Sequence, residues 1–315
     1  MTWSSLIWIY LWLAGMAGGA YFAAFVASRS NIGNSKSLLH IATYIGIPLA
    51  ILGVLLLLFD LGRPIYFWHL LTQFKLQSPM SMGTWILLLW VNIAVIIVIL
   101  LWFQHNSARK AANRSRRVTG ILGGVNFVLS ALLITYTGVL LANSSQPMWA
   151  GTVFLPPLFV ASAVSTGLAI LIVSAMIVNA IGKTGTVKIR KVLNYIFGTA
   201  DWTVSNRNIT QLAEADAIVI GVELVVLIAY VVGLAKSGTA GTGESLQLLI
   251  SGVLAAPFWL GVIIMAILIP FALDMANWGK QVEAIGVWRA ILASAMCVIL
   301  GGLVLRAVIT IGGQM

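Results

Sequence analysis

Charge is what this sequence has least of. Asp, Glu, Lys and Arg together make up 8% of its 315 residues, where a soluble protein has about 25%. A water-soluble fold of this size could not clothe its surface with so few charges, and disorder and coiled coils are excluded on the same ground. There is one cysteine, Cys297. It rules out a disulfide within the chain, and a cysteine-ligated iron–sulfur cluster or zinc site built by this chain alone. There are three histidines, His40, His69 and His105, and all fall at the ends of apolar runs or in connections. A haem held by facing histidines inside the membrane is therefore not expected. No phosphate-binding loop, dinucleotide fingerprint or His-Glu-x-x-His zinc motif occurs.

What the sequence has in abundance is apolar residues, 60% of the whole. They run continuously rather than in alternation, which argues for helices and against a transmembrane barrel. Runs long enough to cross a bilayer occupy 5–28, 40–59, 82–103, 118–142, 152–180, 216–235, 247–272 and 288–310. The stretch 118–182 carries no charge and as one helix would be about 98 Å long. It must fold back, and Asn143-Ser144-Ser145-Gln146-Pro147 supplies the turn. The expected fold is an all-α integral membrane protein of eight transmembrane helices in two four-helix bundles. Residues 1–182 hold the first five spans, the first four forming one bundle. A basic loop covers 183–212, and 213–315 holds the three spans that complete the second bundle.

The net charge of +10 is read as topological anchoring rather than as a nucleic-acid surface. Fourteen of the eighteen basic residues lie in the connections after spans one, three, five and seven. Arg63, Lys75, Lys236 and Arg306 lie on the other side. Positively charged loops stay in the cytoplasm, so both termini are expected on the non-cytoplasmic face of the inner membrane. The first run has no basic lead-in and exceeds a signal-peptide core, so it is expected to be a retained span.

Polar residues in this apolar chain are candidates for chemistry. Asp60-Leu61-Gly62-Arg63-Pro64 closes span two and leads through Tyr66, Phe67 and Trp68 to His69. An acid and a base three apart pair readily at a helix end, so a salt bridge with a helix stop at Gly62 and Pro64 accounts for them structurally. Tyr10 and Tyr136 fall near the same membrane face as Asp60, Arg63 and His69. Rings, hydrogen-bond donors and an acid at an apolar boundary suit the head group of a lipophilic quinone, with the acid accepting a proton from a quinol. Gly15-Met16-Ala17-Gly18-Gly19 gives small residues at helical spacing, the pattern of close helix approach. Glu223 lies inside span six, where lipid exposure would cost at least about 2.5 kcal/mol. It is expected to face the interior, toward Ser162, Ser165 or Asn179, either as a proton relay or as a protonated structural hydrogen bonder. Arg306 is placed too far along span eight to pair with it, and Glu214 and Asp216 at the N-terminus of span six.

The order of several short motifs resembles the NrfD-like family, the membrane subunits of polysulfide reductase and its relatives. They are Leu13-Ala14-Gly15-Met16-Ala17-Gly18-Gly19, Asp60-Leu61-Gly62-Arg63-Pro64 with Phe67-Trp68, Ser78-Pro79-Met80-Ser81-Met82-Gly83, Tyr136-Thr137-Gly138, Pro147-Met148-Trp149, Glu223, and Leu305-Arg306 with Gly312-Gly313-Gln314. The resemblance implies a haem-free and cluster-free anchor that binds menaquinone or another quinone as substrate in its first four spans. Asp60 and Tyr136 occupy matching motif positions, and with the polar layer read from the residues the candidate site is Asp60 as the proton-handling residue with Tyr10, Gly18, Arg63, His69 and Tyr136 around the quinone. Some relatives carry a histidine where Tyr10 stands. The implied partners are a ferredoxin-like subunit with four iron–sulfur clusters and, beyond it, a molybdopterin oxidoreductase or a multihaem cytochrome. The alternative from the residues alone is a transporter or proton channel, with Glu223 as its relay and Pro257 and Pro270 as helix breaks.

Overall fold

In a computed structural model, described for residues 4–30, 36–60, 78–106, 109–144, 146–184, 204–237, 241–280 and 285–315, the protein is helical and shows no strand among those residues. Eight helices are long and apolar enough to cross a membrane. They are α1 (Ser5–Arg29), α2 (Lys36–Asp60), α3 (Pro79–Asn106), α4 (Arg109–Ala142), α6 (Leu155–Thr184), α7 (Asn206–Lys236), α9 (Pro257–Ala276) and α10 (Ile285–Gly312). Two short helices, α5 (Pro147–Ala150) and α8 (Thr242–Ile250), lie in connections.

Where each helix starts and stops follows from local chemistry. Ser4 caps α1, its hydroxyl accepting from the Leu6 amide at 3.2 Å. Pro147 opens α5, where a missing N–H costs nothing, and this helix sits in the turn expected at 143–147. Two boundaries differ from the hydropathy reading. Helix α7 begins at Asn206, ten residues before the apolar run. Its polar first turns hide a buried stripe of Ile209, Leu212, Ala213, Asp216, Ala217, Ile220 and Glu223, which is helical spacing. Span seven begins at Pro257, because residues 242–250 form α8 instead. Its first twelve residues, Pro257–Leu268, are wound as a π-helix, and Ile269–Ala276 return to α.

Helices α1 and α6 form the interior. In α6, 83% of the membrane window is buried, against 22% in α3, so α6 is enclosed by protein while α3 presents most of its length to lipid. α1 packs on α2, α4, α6 and α10, and α6 on α4, α7 and α10. Backbones meet where α1 crosses α6. A methyl at Gly19 would collide with the Ala163 carbonyl, and one at Gly167 with the Gly19 backbone. With no hydrophobic drive between helices in lipid, such close approach supplies the packing that holds spans together.

Indoles and phenols tie the spans. Trp12 Nε1 donates to the Ile299 carbonyl at 3.0 Å, Trp149 Nε1 to that of Ile309 at 2.7 Å, and Tyr230 to that of Met148 at 2.9 Å. Trp90 Nε1 donates to Ser130 at 2.7 Å. These bonds join α1 to α10, α5 to α10 and α7, and α3 to α4. A hydrogen bond from Ser4 to Asp60 puts the start of α1 and the end of α2 on one face, called the Asp60 face below.

Candidate functional site

Four helices meet at the Asp60 face around two phenols. Tyr10 of α1 and Tyr136 of α4 lie 126 positions apart in sequence, with their hydroxyls 3.0 Å apart. Tyr10 is 1% exposed, so its hydroxyl has no bulk water and depends on this bond. Two glycines make room for the rings. A methyl at Gly53 of α2 would lie 3.2 Å from Tyr10 Cδ2, while one at Gly83 of α3 would overlap the Tyr136 ring itself. Tyr136 therefore lies directly against the backbone of α3 at Gly83.

Asp60, the last residue of α2, accepts a hydrogen bond from the Ser4 hydroxyl at the start of α1. Ser4 also accepts from the Leu6 amide, so this one residue caps α1 and orients the carboxylate. Tyr10 is five residues further down α1, about 8 Å from its start. The structure thus brings Tyr10, Tyr136 and Asp60 to the same end of the molecule, as the depth arithmetic expects. Gly18 faces Leu133 and Ile134 of α4, with 3.0 Å from a built methyl to Ile134 Cγ2, which is helix packing below the tyrosine pair. Arg63 and His69 lie outside the described residues. Ser4 was missed in the sequence, and only the fold shows its hydroxyl on Asp60. Gly53 and Gly83 show their purpose only when the rings are in place.

A second polar cluster lies across α1, in the later half of the protein. Glu223 of α7 is buried and within hydrogen-bonding reach of Ser162 of α6. Ser162 Oγ also accepts from Arg306 Nη1 of α10 at 3.3 Å. Arg306 is 0% exposed. Its Nη1 donates to the Gly302 carbonyl at 2.9 Å and its guanidinium sits 5.6 Å from the centre of the Phe159 ring. Among the described residues its Nε and Nη2 have no hydrogen-bond partner.

The separation of Arg306 from Glu223 inferred above is thus corrected. It assumed that span six starts at Asp216. Measured from Asn206, Glu223 lies about 26 Å along α7, and Arg306 about 32 Å along α10 from Ile285. The difference falls to about 6 Å, and Ser162 bridges it. Asp216 is corrected likewise. It is no N-terminal carboxylate but lies ten residues inside α7, 1% exposed, accepting from Ser165 Oγ at 2.9 Å. Glu214 is the one that binds a backbone amide, that of Gly279 at 2.9 Å. Of the neighbours expected for Glu223, Asn179 is elsewhere. Its side chain pairs with the backbone N–H and carbonyl of Val204, at 2.9 and 2.6 Å, and fixes the entry to α7. Among the described residues no group of three or more His, Cys, Asp or Glu is placed to hold a metal.

The sequence has relatives. The protein is 29% identical to a polysulfide reductase subunit of Wolinella succinogenes, over its whole length and 95% of that subunit. It is 28% identical to the protein NrfD of Escherichia coli, over its whole length and 96% of that one. It is also 28% identical to an NrfD homologue of Haemophilus influenzae, over 87% of its length and 84% of that protein. The family described as "Polysulphide reductase, NrfD" matches residues 1–197 and 191–315, and the protein therefore belongs to it.

Proposed function

We propose that this protein is the quinone-reactive membrane subunit of a respiratory reductase complex. It exchanges electrons between a menaquinol or other quinol pool and an extrinsic four-cluster iron–sulfur subunit, itself attached to a molybdopterin oxidoreductase or a multihaem cytochrome. The observation that carries this reading is the Tyr10–Tyr136 pair at the same end of the molecule as Asp60, within a family of reductase membrane subunits.

The geometry supports a division of labour. Between two phenols bonded to one another, one donates and the other keeps its proton free for a further acceptor. A quinone carbonyl is such an acceptor, and a quinol hydroxyl can donate to the remaining lone pairs. Tyr136 is only half-buried, so it is the member that a ligand reaches. Oxidation of a quinol releases two electrons and two protons. On this reading Asp60, held by Ser4 at the end of α2, accepts protons and passes them to water at the membrane boundary. The electrons leave to the extrinsic partner. On this reading the Asp60 face is the non-cytoplasmic one.

The test uses the complete complex purified from its native membrane. Asp60→Asn keeps the shape and removes the base. Quinol-linked turnover should fall at least about 100-fold, the scale of one general base. Turnover with an artificial donor that feeds the extrinsic subunits should stay near wild type. Equal losses in both assays would mean that Asp60 only holds α1 to α2, and would refute the role.

A further inference from the structure

The end of the first four spans that lies away from Asp60 carries positive charge with little to balance it. Asp60 is the sole acid among residues 1–200, and it stands at the other face. Arg29, in the last turn of α1, is exposed. Arg116 and Arg117 of α4 are exposed too, about 30 Å along that helix from Tyr136. Arginines at span ends fix topology, and charge alone would leave them in that role. What sets these apart is the surface on which they stand.

Arg116, Gly120, Gly124 and Phe127 follow one another at intervals of four, four and three residues, so they share one stripe of α4. Both glycines face open space, since a methyl built on either meets nothing within 4 Å. On α1, Phe22, Phe25 and Arg29 make a matching stripe. The two stripes join through their rings. Phe127 stacks on Phe22 and on Phe25, with ring centres 4.9 and 4.6 Å apart, and Arg29 stands over the Phe25 ring at 5.3 Å. Arg29 is about 6 Å beyond Phe25 along α1, which sets it at a depth between Gly124 and Gly120, about 5 and 10 Å from Phe127 along α4. The neighbouring seam is shut, because Gln104 of α3 donates to Ser115 and Thr119 of α4 at 3.1 and 2.8 Å. Beside α1, then, α4 offers a furrow with a glycine floor, closed at one end by three rings and flanked at the other by arginines. From Arg116 to Phe127 it runs about 16 Å, one leaflet of a hydrocarbon core about 30 Å thick.

We propose that this furrow binds an anionic phospholipid from the leaflet away from the Asp60 face. Arg29 of α1 and Arg116 of α4 hold its phosphate, with Arg117 beside them, and one acyl chain lies over Gly120 and Gly124 against the phenylalanine rings. The chemistry selects such a lipid twice. A guanidinium offers a phosphate two parallel N–H donors, and basic pockets between spans take up anionic head groups. A zwitterionic head group brings a cation of its own and gains less. The glycines matter as much as the charge, because only a stripe without side chains lets another chain approach the backbone of α4 closely. The bound lipid fastens the end of α1 to the start of α4, the two helices that carry Tyr10 and Tyr136 further along. The site does not depend on the quinone reading.

The experiment is native mass spectrometry of the intact complex, delipidated in detergent and titrated with phosphatidylglycerol or with phosphatidylcholine of the same acyl chains. The wild type should hold phosphatidylglycerol at least about tenfold more tightly, since one basic residue beside an anionic head group contributes about fivefold. Arg29→Gln and Arg116→Gln should each weaken phosphatidylglycerol by about that fivefold and leave phosphatidylcholine unchanged. Gly120→Leu puts a side chain into the furrow without altering charge. It should remove the tight phosphatidylglycerol binding while the melting temperature in lipid-free detergent stays at the wild-type value. Equal binding of the two lipids by the wild type overturns the site and leaves the arginines as topological anchors. Selective binding that survives Gly120→Leu also overturns it, because the charges then act without the furrow. Where a substituted complex does not assemble, the wild-type selectivity between the two lipids decides.

Discussion

The Tyr10–Tyr136 contact can be tested by a double-mutant cycle. Each hydroxyl is removed singly, Tyr10→Phe and Tyr136→Phe, and then both together. The hydroxyls are 3.0 Å apart and Tyr10 is 1% exposed. Removing Tyr136 Oη strands the Tyr10 hydroxyl in a site that water does not reach, a cost of about 1–3 kcal/mol. Removing Tyr10 Oη does less harm, because Tyr136 is only half-buried and its hydroxyl can turn to other partners, so about 0.5–1.5 kcal/mol is expected. The double variant leaves no stranded group, so it should be less destabilised than the two singles added together, by about 1–2 kcal/mol. Stability is followed by thermal unfolding of the complex in detergent, and quinol-linked turnover is measured on the same four preparations. If both phenols serve the quinone, turnover in the double variant should be no better than in the worse single variant even though its stability partly recovers. Single-variant losses that add to within about 0.5 kcal/mol would show that the two hydroxyls do not interact. Recovery of turnover in parallel with stability would show that the pair serves the fold and not the ligand.

Three further outcomes are expected. Gly83→Ala puts a methyl into the Tyr136 ring and should displace the phenol from its partner, lowering quinol-linked turnover by about 100-fold, the scale of a 1 Å misplacement, with little change in turnover from an artificial donor. Gly167→Ala drives a methyl into the backbone of Gly19, which cannot swing away as a side chain would. It should destabilise the complex by about 1–3 kcal/mol, read as a lowered melting temperature and reduced yield. A phosphatase fused to the C-terminus should be active only if that end is outside the cytoplasm, as the distribution of basic residues predicts; a cytoplasmic result would move the Asp60 site to the cytoplasmic face.

The eight spans were legible because lipid leaves the backbone no choice. An apolar run of about 20 residues must be helical to satisfy its own amides. The ends of spans were less legible, and the reason is visible in α7. Asn206, Arg207, Asn208 and Gln211 lower the hydropathy of its first turns, yet helical spacing from Ile209 to Glu223 continues through them. Periodicity carried the information that hydropathy averaged away. Reading the helix from 216 misplaced Glu223 relative to Arg306 and made Asp216 look like a helix-end carboxylate. The tyrosine pair was half-legible. Depth arithmetic put Tyr10 and Tyr136 in one layer, but it could not say that α1 and α4 are adjacent there. Asp274 went unremarked because an acid near the end of a span looks like a boundary residue, and only its serine partner on α10 sets it apart from one.

Helix α1 explains why both polar clusters exist in one protein. Of the contacts that define them, Tyr10 and Ser4 face α2 and α4, while Gly15 faces Arg306 on α10 and Gly19 meets α6. One helix with small residues on its later turns can lie against two sets of neighbours at once, since a glycine lets a backbone approach from the side where a larger residue would hold it off. At Gly15 this is a matter of one atom, since a methyl there would lie 2.8 Å from Arg306 Nη2. A bulkier residue at Gly15 would push Arg306 away without touching either Tyr10 or Asp60. The small residues of α1 therefore do more than pack helices. At Gly15 they decide how closely the guanidinium can approach α1.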